Sequence, residues 1–274
     1  MKDKAAMHRV IVIASVNHDR IWQLDDPLVP GGRLRFSSRE IHLGGGGFFT
    51  GCQLLDLGAD VALVNRLMDD VQGHAALKVL QDMGFDTEQV ALHAGESRPL
   101  EILLEPNGER TILYPNNRES QLFTASAALT GGAAYLNALN LDAGLVAQLD
   151  AIPLVLSQLP LRPATPRPAD YIISSRDDAA DEIEIVWQRA QAIAGPRLKM
   201  LVLTDGPRPI TLFDGQDAIE VATAPPVPVK STIGAGDRFS GAFLYALLDG
   251  ETVIAAATRA SHQTADWLRL RAGV

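Results

Sequence analysis

The sequence predicts an α/β chain: a doubly wound, mostly parallel sheet with a small β-sheet lid. Three observations lead there. Short apolar, β-branched runs recur along the chain, and helix-period stretches separate them, the pattern of a sheet covered on both faces. Two segments, about 19–42 and 96–117, break that rhythm with alternating residues, turn signals and no covering helices. At 274 residues, 47% of them apolar, the chain is expected to form a single domain over 1–274 with those segments as the lid.

Taken in order, the apolar run 10–16 reads as a buried first strand that stops at Asn17, His18 and Asp19. The first lid segment carries the turn Pro30-Gly31-Gly32. A strand over 61–65 and a helix over 73–83 follow, the helix stopped by Gly84. In the second lid segment, residues 100–105 and 110–114 read as a hairpin around Pro106-Asn107-Gly108. Strands are expected at 154–156, 171–173 and 200–203, with helices over 181–194 and 239–248. Residues 160–168, with prolines at 160, 163, 166 and 168, read as a connector. The stripe Ile183, Val186, Trp187, Ala190, Ile193 reads as the core face of its helix.

Bulk properties exclude several function classes. A net charge of −9 argues against sequence-independent nucleic-acid binding, which needs clustered basic residues. A local anion site remains compatible with it. Cys52 is the only cysteine, so neither an intramolecular disulfide nor a Cys-based zinc site can form. The six histidines show no paired metal-ligand spacing. No run reaches the roughly 18 apolar residues that span a bilayer, and 10–16 is too short for a signal peptide. A cytoplasmic protein without membrane or nucleic-acid partners is expected.

The strongest chemical signal is Ser231-Thr-Ile-Gly-Ala-Gly-Asp237. Gly234, Ala235 and Gly236 stand just before a helical run, where a turn aims backbone N–H groups at one point near the positive end of the helix dipole. That point suits a phosphate, and Asp237 on its rim suits a proton acceptor. The same residues also fit a glycine turn capped by an ordinary Asp. Asn17 and Asp19, just past the first strand, fit either a ligand site or a turn. Gly44, Gly45, Gly46 and Gly47 fit close approach of a substrate to the backbone, or a hinge.

These segments resemble the signatures of the ribokinase-like (PfkB) carbohydrate kinases, and the resemblance runs over essentially the whole chain. Asn65-Arg-Leu-Met-Asp-Asp70-Val-Gln-Gly73 and Thr204-Asp-Gly206 add to it. The resemblance implies ATP-dependent phosphorylation of a small hydroxylated substrate, with magnesium. It makes Asp237 the base and Gly234, Ala235 and Gly236 the anion hole. Asn17, Asp19, residues 44–47 and position 49 would meet the substrate, and Thr204, Gly206, Thr232, Gly234 and Gly236 the nucleotide. It also implies pairing of two copies through the lid.

Departures from the pattern are specific. Phe49 replaces an Asn and removes a donor. Ser231 replaces an Asp, so little or no potassium activation is expected. The Asn-x-x-Glu element tied to magnesium is reduced to Ser175-x-x-Asp178, with Asp178 acting through a metal-bound water. Pro209 replaces a glycine of the nucleotide loop, and Gln158-Leu159-Pro160 lacks a sugar-binding Glu. Arg238 after the base is expected either at a phosphate or in solvent. A nucleoside kinase and a catalytically impaired ligand sensor on the same fold are the competing expectations. A nicotinamide oxidoreductase is disfavoured, because no Gly-x-Gly-x-x-Gly turn follows the first strand.

Overall fold

The first strand, β1 (Arg9–Ala14), is buried on both faces, and its alternating side chains divide the interior in two. Val10, Val12 and Ala14 face one apolar layer, while Ile11 and Ile13 face the other. The computed structural model describes residues 8–115, 121–229 and 231–272. Positions 116 and 117 of the expected second lid segment lie outside the described residues.

Chain order continues with β2 (Asn17–Leu24), β3 (Phe36–Gly44), α1 (Gly46–Asp56), β4 (Asp60–Met68), α2 (Val71–Asp82), β5 (Val90–His93), β6 (Leu100–Leu104) and β7 (Arg110–Leu113). Then come β8 (Leu122–Phe123), β9 (Ala133–Asn137), β10 (Asn140–Leu141), α3 (Ala143–Leu149), β11 (Leu154–Gln158), β12 (Tyr171–Ser175), α4 (Arg176–Ala179) and α5 (Ile183–Ala194). The chain closes with β13 (Met200–Asp205), β14 (Arg208–Phe213), β15 (Ala218–Val221), α6 (Ala235–Leu248) and α7 (Val253–Ala272).

Among the described residues nine strands form the main sheet, in the order β15-β14-β13-β12-β11-β9-β1-β4-β5. It is parallel from β13 to β5, and β14 and β15 add an antiparallel edge. One layer packs α1, α2, α6 and α7 on the sheet; the other packs α3 and α5. From β1 the chain first builds outward through β4 and β5, then returns to β9 and builds the other way. That reversal between β1 and β9 is a topological switch point, where open α/β sheets bind ligands. A second, four-stranded sheet has the order β3-β2-β6-β7. Its outer pairs are antiparallel and its central pair, β2 with β6, is parallel.

Three elements differ from the sequence reading. β9 is central, yet Ala133-Ala134 gives it none of the β-branched signature that marks its neighbours. Pro209, read as part of a nucleotide loop, lies within β14 beside the register shift between Leu203 and Asp205. A missing N–H is tolerated at such an irregularity. The helix expected from 239 starts at Ala235, so the glycine turn forms its first turn directly.

Candidate active site

Polar residues stand at the carboxyl ends of the parallel strands flanking the switch point. Ser15 follows β1, and Asn137, Gln158, Ser175 and Thr204 lie at the ends of β9, β11, β12 and β13. Two clefts open along this row. Ser15, Asn137 and Gln158 line one of about 470 Å³. Ser175 and Thr204 line the other, of about 370 Å³.

Asp237 sits in the first turn of α6. Gly234 is the helix N-cap, in the left-handed region at φ +86°, and the helix has no side-chain cap. The Asp237 carboxylate is therefore not an ordinary capping group. By accessible surface the residue is half-buried, yet protein surrounds its carboxyl closely enough that desolvation dominates. Desolvation pushes the carboxyl up to about 6; the Arg110 charge opposes the rise, the Asp19 carboxylate adds to it, and a Tyr135 hydrogen bond opposes it. Such a group is half-ionised near pH 6 and largely ionised at neutral pH, as a general base should be.

Of the three residues expected to form the anion hole, Ala235 departs. Its N–H is taken by the Thr232 carbonyl at 3.0 Å, closing the turn. Gly236, one residue further on, lines the smaller cleft beside Thr232 and Ala235. Its first-turn N–H has no intrahelical acceptor to use, so Gly236 is the amide best placed for an anion.

The glycine run brings polar side chains to the same place. Gly44 closes β3 against the buried Asp19, and a Cβ at that position would collide with the Asp19 carboxylate. A Cβ on Gly46 would fall 2.5 Å from Asn137 Nδ2 and 3.2 Å from Asp237 Oδ1. Asn17 lies against Gly45 in the same way, and Gly47 N–H donates to the Ser15 carbonyl at 2.9 Å. Asn17, Asp19, residues 44–47 and Asp237 are thus one neighbourhood. Asn137 joins them without having been singled out in the sequence.

Phe49 lies behind the site. Its ring packs on Gly234, 2.6 Å from where a Cβ would be, and meets Trp267 edge to face at 6.3 Å. It supports the turn rather than the acceptor cleft. Arg238 corrects the expectation of a phosphate or solvent contact. It is buried, ion-pairs with Asp56, donates to Gln53 Oε1 at 3.2 Å and stacks 5.2 Å over Trp267.

The smaller cleft suits a nucleotide. Thr204, Gly206, Thr232 and Gly236 line it, and Ile210, Val227, Phe239, Ala265 and Leu268 give an apolar wall for a base. Arg110, from β7 of the small sheet, also lines it and donates to Thr232 Oγ1 at 3.3 Å. Magnesium finds less. Ser175 caps α4 by accepting from the Asp178 N–H at 3.1 Å, and Asp178 itself is exposed. No three His, Cys, Asp or Glu residues converge as a metal cage among the described residues. In that element Asp178 is the carboxylate at the last position, and it would reach a magnesium ion only through water. No helix among the described residues is long and apolar enough to cross a membrane.

Sequence reasoning missed Tyr135 and Thr50, both fully buried. Thr50 Oγ1 donates to the Asp237 carbonyl at 3.0 Å, and Gln158 Nε2 donates to the Tyr135 hydroxyl at 3.2 Å.

Comparison with known proteins bears on the family and the fold. The pfkB family carbohydrate kinases match residues 169–273. Over 275 residues the chain is 26% identical to ribokinase from Bacillus subtilis, covering 91% of this chain and 89% of that one. A nucleoside kinase from Burkholderia thailandensis, solved with inosine, superposes with a TM-score of 0.73 at 17% identity, covering 93% and 89% of the two chains. Ribokinase from Arabidopsis thaliana, solved with ribose and ATP, gives 0.69 at 17% identity, covering 95% and 92%. At such identities the structural likeness speaks for the fold.

Proposed function

With the chain placed among the ribokinase-like (PfkB) carbohydrate kinases, we propose that it transfers the γ-phosphoryl group of ATP to a hydroxyl of a sugar or nucleoside. The observation that carries this reading is Asp237: a carboxylate pushed up to about 6 in the first turn of α6, next in sequence to Gly236 of the smaller cleft and sharing the Gly46 surroundings with Asn137 of the larger one. The acceptor's hydroxyls would meet Asn17, Asp19 and Asn137. Asp237 takes the proton of the attacking hydroxyl as its oxygen bonds to the γ-phosphorus. The bond to the bridging oxygen breaks and ADP leaves. The Gly236 amide, the positive end of α6 and the Arg110 guanidinium offset charge on the moving group.

The larger cleft supports an acceptor with an apolar part. Leu100, Ile112, Phe123, Leu139, Leu159 and Leu161 line it beside the polar strand ends. A nucleoside fits such walls better than a bare pentose, because burying sugar hydroxyls against them would leave polar groups unpaired. The exposed Phe36 and Ile41 of edge strand β3 support pairing of two copies through the small sheet.

The test is acceptor-dependent ADP release from ATP and magnesium across a panel of pentoses, hexoses and nucleosides, with Asp237→Asn as control. A phosphorylated product that disappears in the control is expected. Nucleotide binding without turnover on any acceptor would replace this reading with a ligand sensor.

A further inference from the structure

A third cleft, of about 340 Å³, opens where the end of β4 and the loop after β5 meet the start of β2. It adjoins the larger cleft along three stretches of chain. Ser15 lines the larger cleft, and Val16 and Asn17 line the third; Tyr114 lines the larger, and Pro115 the third; Gln121 lines both. The chemistry changes across that boundary. Where the larger cleft has leucines, the third has His18, Arg66, Ser97 and Arg98. Among the described residues Glu96 is the one acid on its wall, and it is exposed.

The two arginines carry charge that the protein leaves uncompensated. Arg66, near the end of β4, is half-buried, and its Nε is buried with no hydrogen-bond partner. Neither guanidinium has an ion-pair or hydrogen-bond partner among the described residues. The acids of the turn after β4 are engaged elsewhere. Asp69 pairs with His74 at 2.8 Å. Asp70 caps α2 by accepting from the Gly73 N–H at 2.7 Å, and it also accepts from the Ser97 N–H at 2.6 Å and the Ser97 hydroxyl at 2.8 Å. The bonds to Ser97 pin the loop that carries Arg98. They also spend the Ser97 proton. His18 is held below the usual histidine range mainly by burial, so it is neutral at neutral pH and the charge of the wall is the arginines'. A half-buried guanidinium without a counter-charge is costly, and carboxylate and phosphate are the partners whose geometry it fits best.

We propose that this cleft is the anion end of the acceptor site: it takes an oxyanion, phosphate or carboxylate, borne on the same molecule whose hydroxyl reaches Asp237, with Arg66 and Arg98 as its cationic partners. This rests on the kinase reading above. Asn17 links the two ends, since it lies against Gly45 in the acceptor neighbourhood and also lines the third cleft. The acceptor is then acidic rather than a neutral sugar or nucleoside.

The test is titration calorimetry without ATP on matched sets: ribose, ribose 5-phosphate and ribonate; glucose, glucose 6-phosphate and gluconate; glycerol, glycerol 3-phosphate and glycerate; and inorganic phosphate alone. In at least one set an acidic member should bind at least about tenfold tighter than its neutral parent, the worth of one hydrogen bond to a charged group. The phosphate and carboxylate arms identify the oxyanion. Arg66→Gln and Arg98→Gln should each cut that preference at least about fivefold. Arg98 is exposed, so Arg98→Gln carries the test if Arg66→Gln does not fold. Acidic members no tighter than their parents in every set, or a preference that survives both substitutions, overturn the proposal. Inorganic phosphate that binds through the arginines while no acidic acceptor gains on its parent also overturns it, because the anion site would then be separate from the acceptor. An arginine-dependent preference in a protein that turns nothing over would refute the kinase reading and leave the subsite standing. Turnover of neutral acceptors with no acidic preference would do the reverse.

Discussion

Replacing Asp237 by Asn should cost activity and add stability, and the two effects have one cause. Desolvation has moved the Asp237 carboxyl from its ordinary 3.8 to about 6. Two units at 1.36 kcal/mol each is about 3 kcal/mol of unfavourable charge in the folded state at neutral pH. The sign follows from the direction of the shift. Because the folded value lies above the unfolded one, the penalty is absent below the unfolded value. It grows as pH rises and is complete above about 6. Asn keeps the shape but carries no charge. Allowing for residual burial of its amide, it should stabilise the fold by about 1–3 kcal/mol at pH 8, or several degrees in Tm for a chain of this size. The assay is urea or thermal unfolding of both proteins from pH 4.5 to 8, read as the difference between them. That difference matters because His18 and His93, both held below the usual histidine range by burial, titrate in the opposite sense and cancel. Turnover in the same variant should fall by ~10²–10⁴, the usual worth of a positioned acid–base group. A difference that is flat with pH, or a variant less stable at pH 8, would refute the poised-carboxyl argument. Near-normal turnover would refute the role.

Asp19→Ala should weaken acceptor binding at least about tenfold and leave ATP binding nearly unchanged in calorimetry; equal loss of both would make Asp19 a structural residue of the β2–β3 strand pair. Potassium should not activate: Ser231 spends its hydroxyl accepting from the Ile233 N–H at 3.3 Å and offers no carboxylate. Initial rates against potassium at constant ionic strength should be flat, becoming dependent in Ser231→Asp. Gly234→Ala should destabilise by more than the ~1 kcal/mol of a left-handed alanine, because its methyl would meet the Phe49 ring. Unfolding in a Phe49→Ala background should show part of that loss recovered, and no recovery would place the clash elsewhere.

The parts legible in the sequence are those whose signal is local. Residues 10–16, 61–65 and 200–203 announce buried parallel strands because β-branched side chains pack on both faces. The alternation of 100–105 and 110–114 announces a hairpin because only one face is covered. β9 gave no such signal: Ala133 and Ala134 lie at the centre of the sheet, and small residues there fit neighbours that the sequence does not display. Among site residues, Asp237 and the glycine runs were readable because the turn chemistry is contiguous. Tyr135 was not, since a tyrosine in an apolar run looks like core until α6 is folded over it. Arg238 was misplaced for the same reason: whether a helical arginine faces phosphate, water or a neighbouring helix is decided by α1 and α7, not by its own neighbours in the chain.

That misplacement changes how the departures from the family pattern should be weighed. Counted singly, Phe49 is a lost donor and Arg238 an odd residue after the base. Packed together, they are two sides of one bracket. Trp267 of α7 has two guanidinium groups over its ring, Arg238 at 5.2 Å and Arg271 at 5.3 Å, and meets Phe49 edge to face. Phe49 in turn lies on Gly234, while Arg271 donates to the Ile233 carbonyl at 2.8 Å. The turn proposed to aim the Gly236 amide at a phosphate is therefore held from behind by an aromatic ring at one residue and a guanidinium at its neighbour. Rigid support of such a turn is what electrostatic stabilisation of a moving phosphoryl group requires. An Asn at position 49 would add a polar group but remove the ring that joins α1 to α7 across Gly234. In this chain the loss of the motif's donor and the gain of the bracket are the same substitution, so the departure at position 49 is no argument against the role proposed for Asp237.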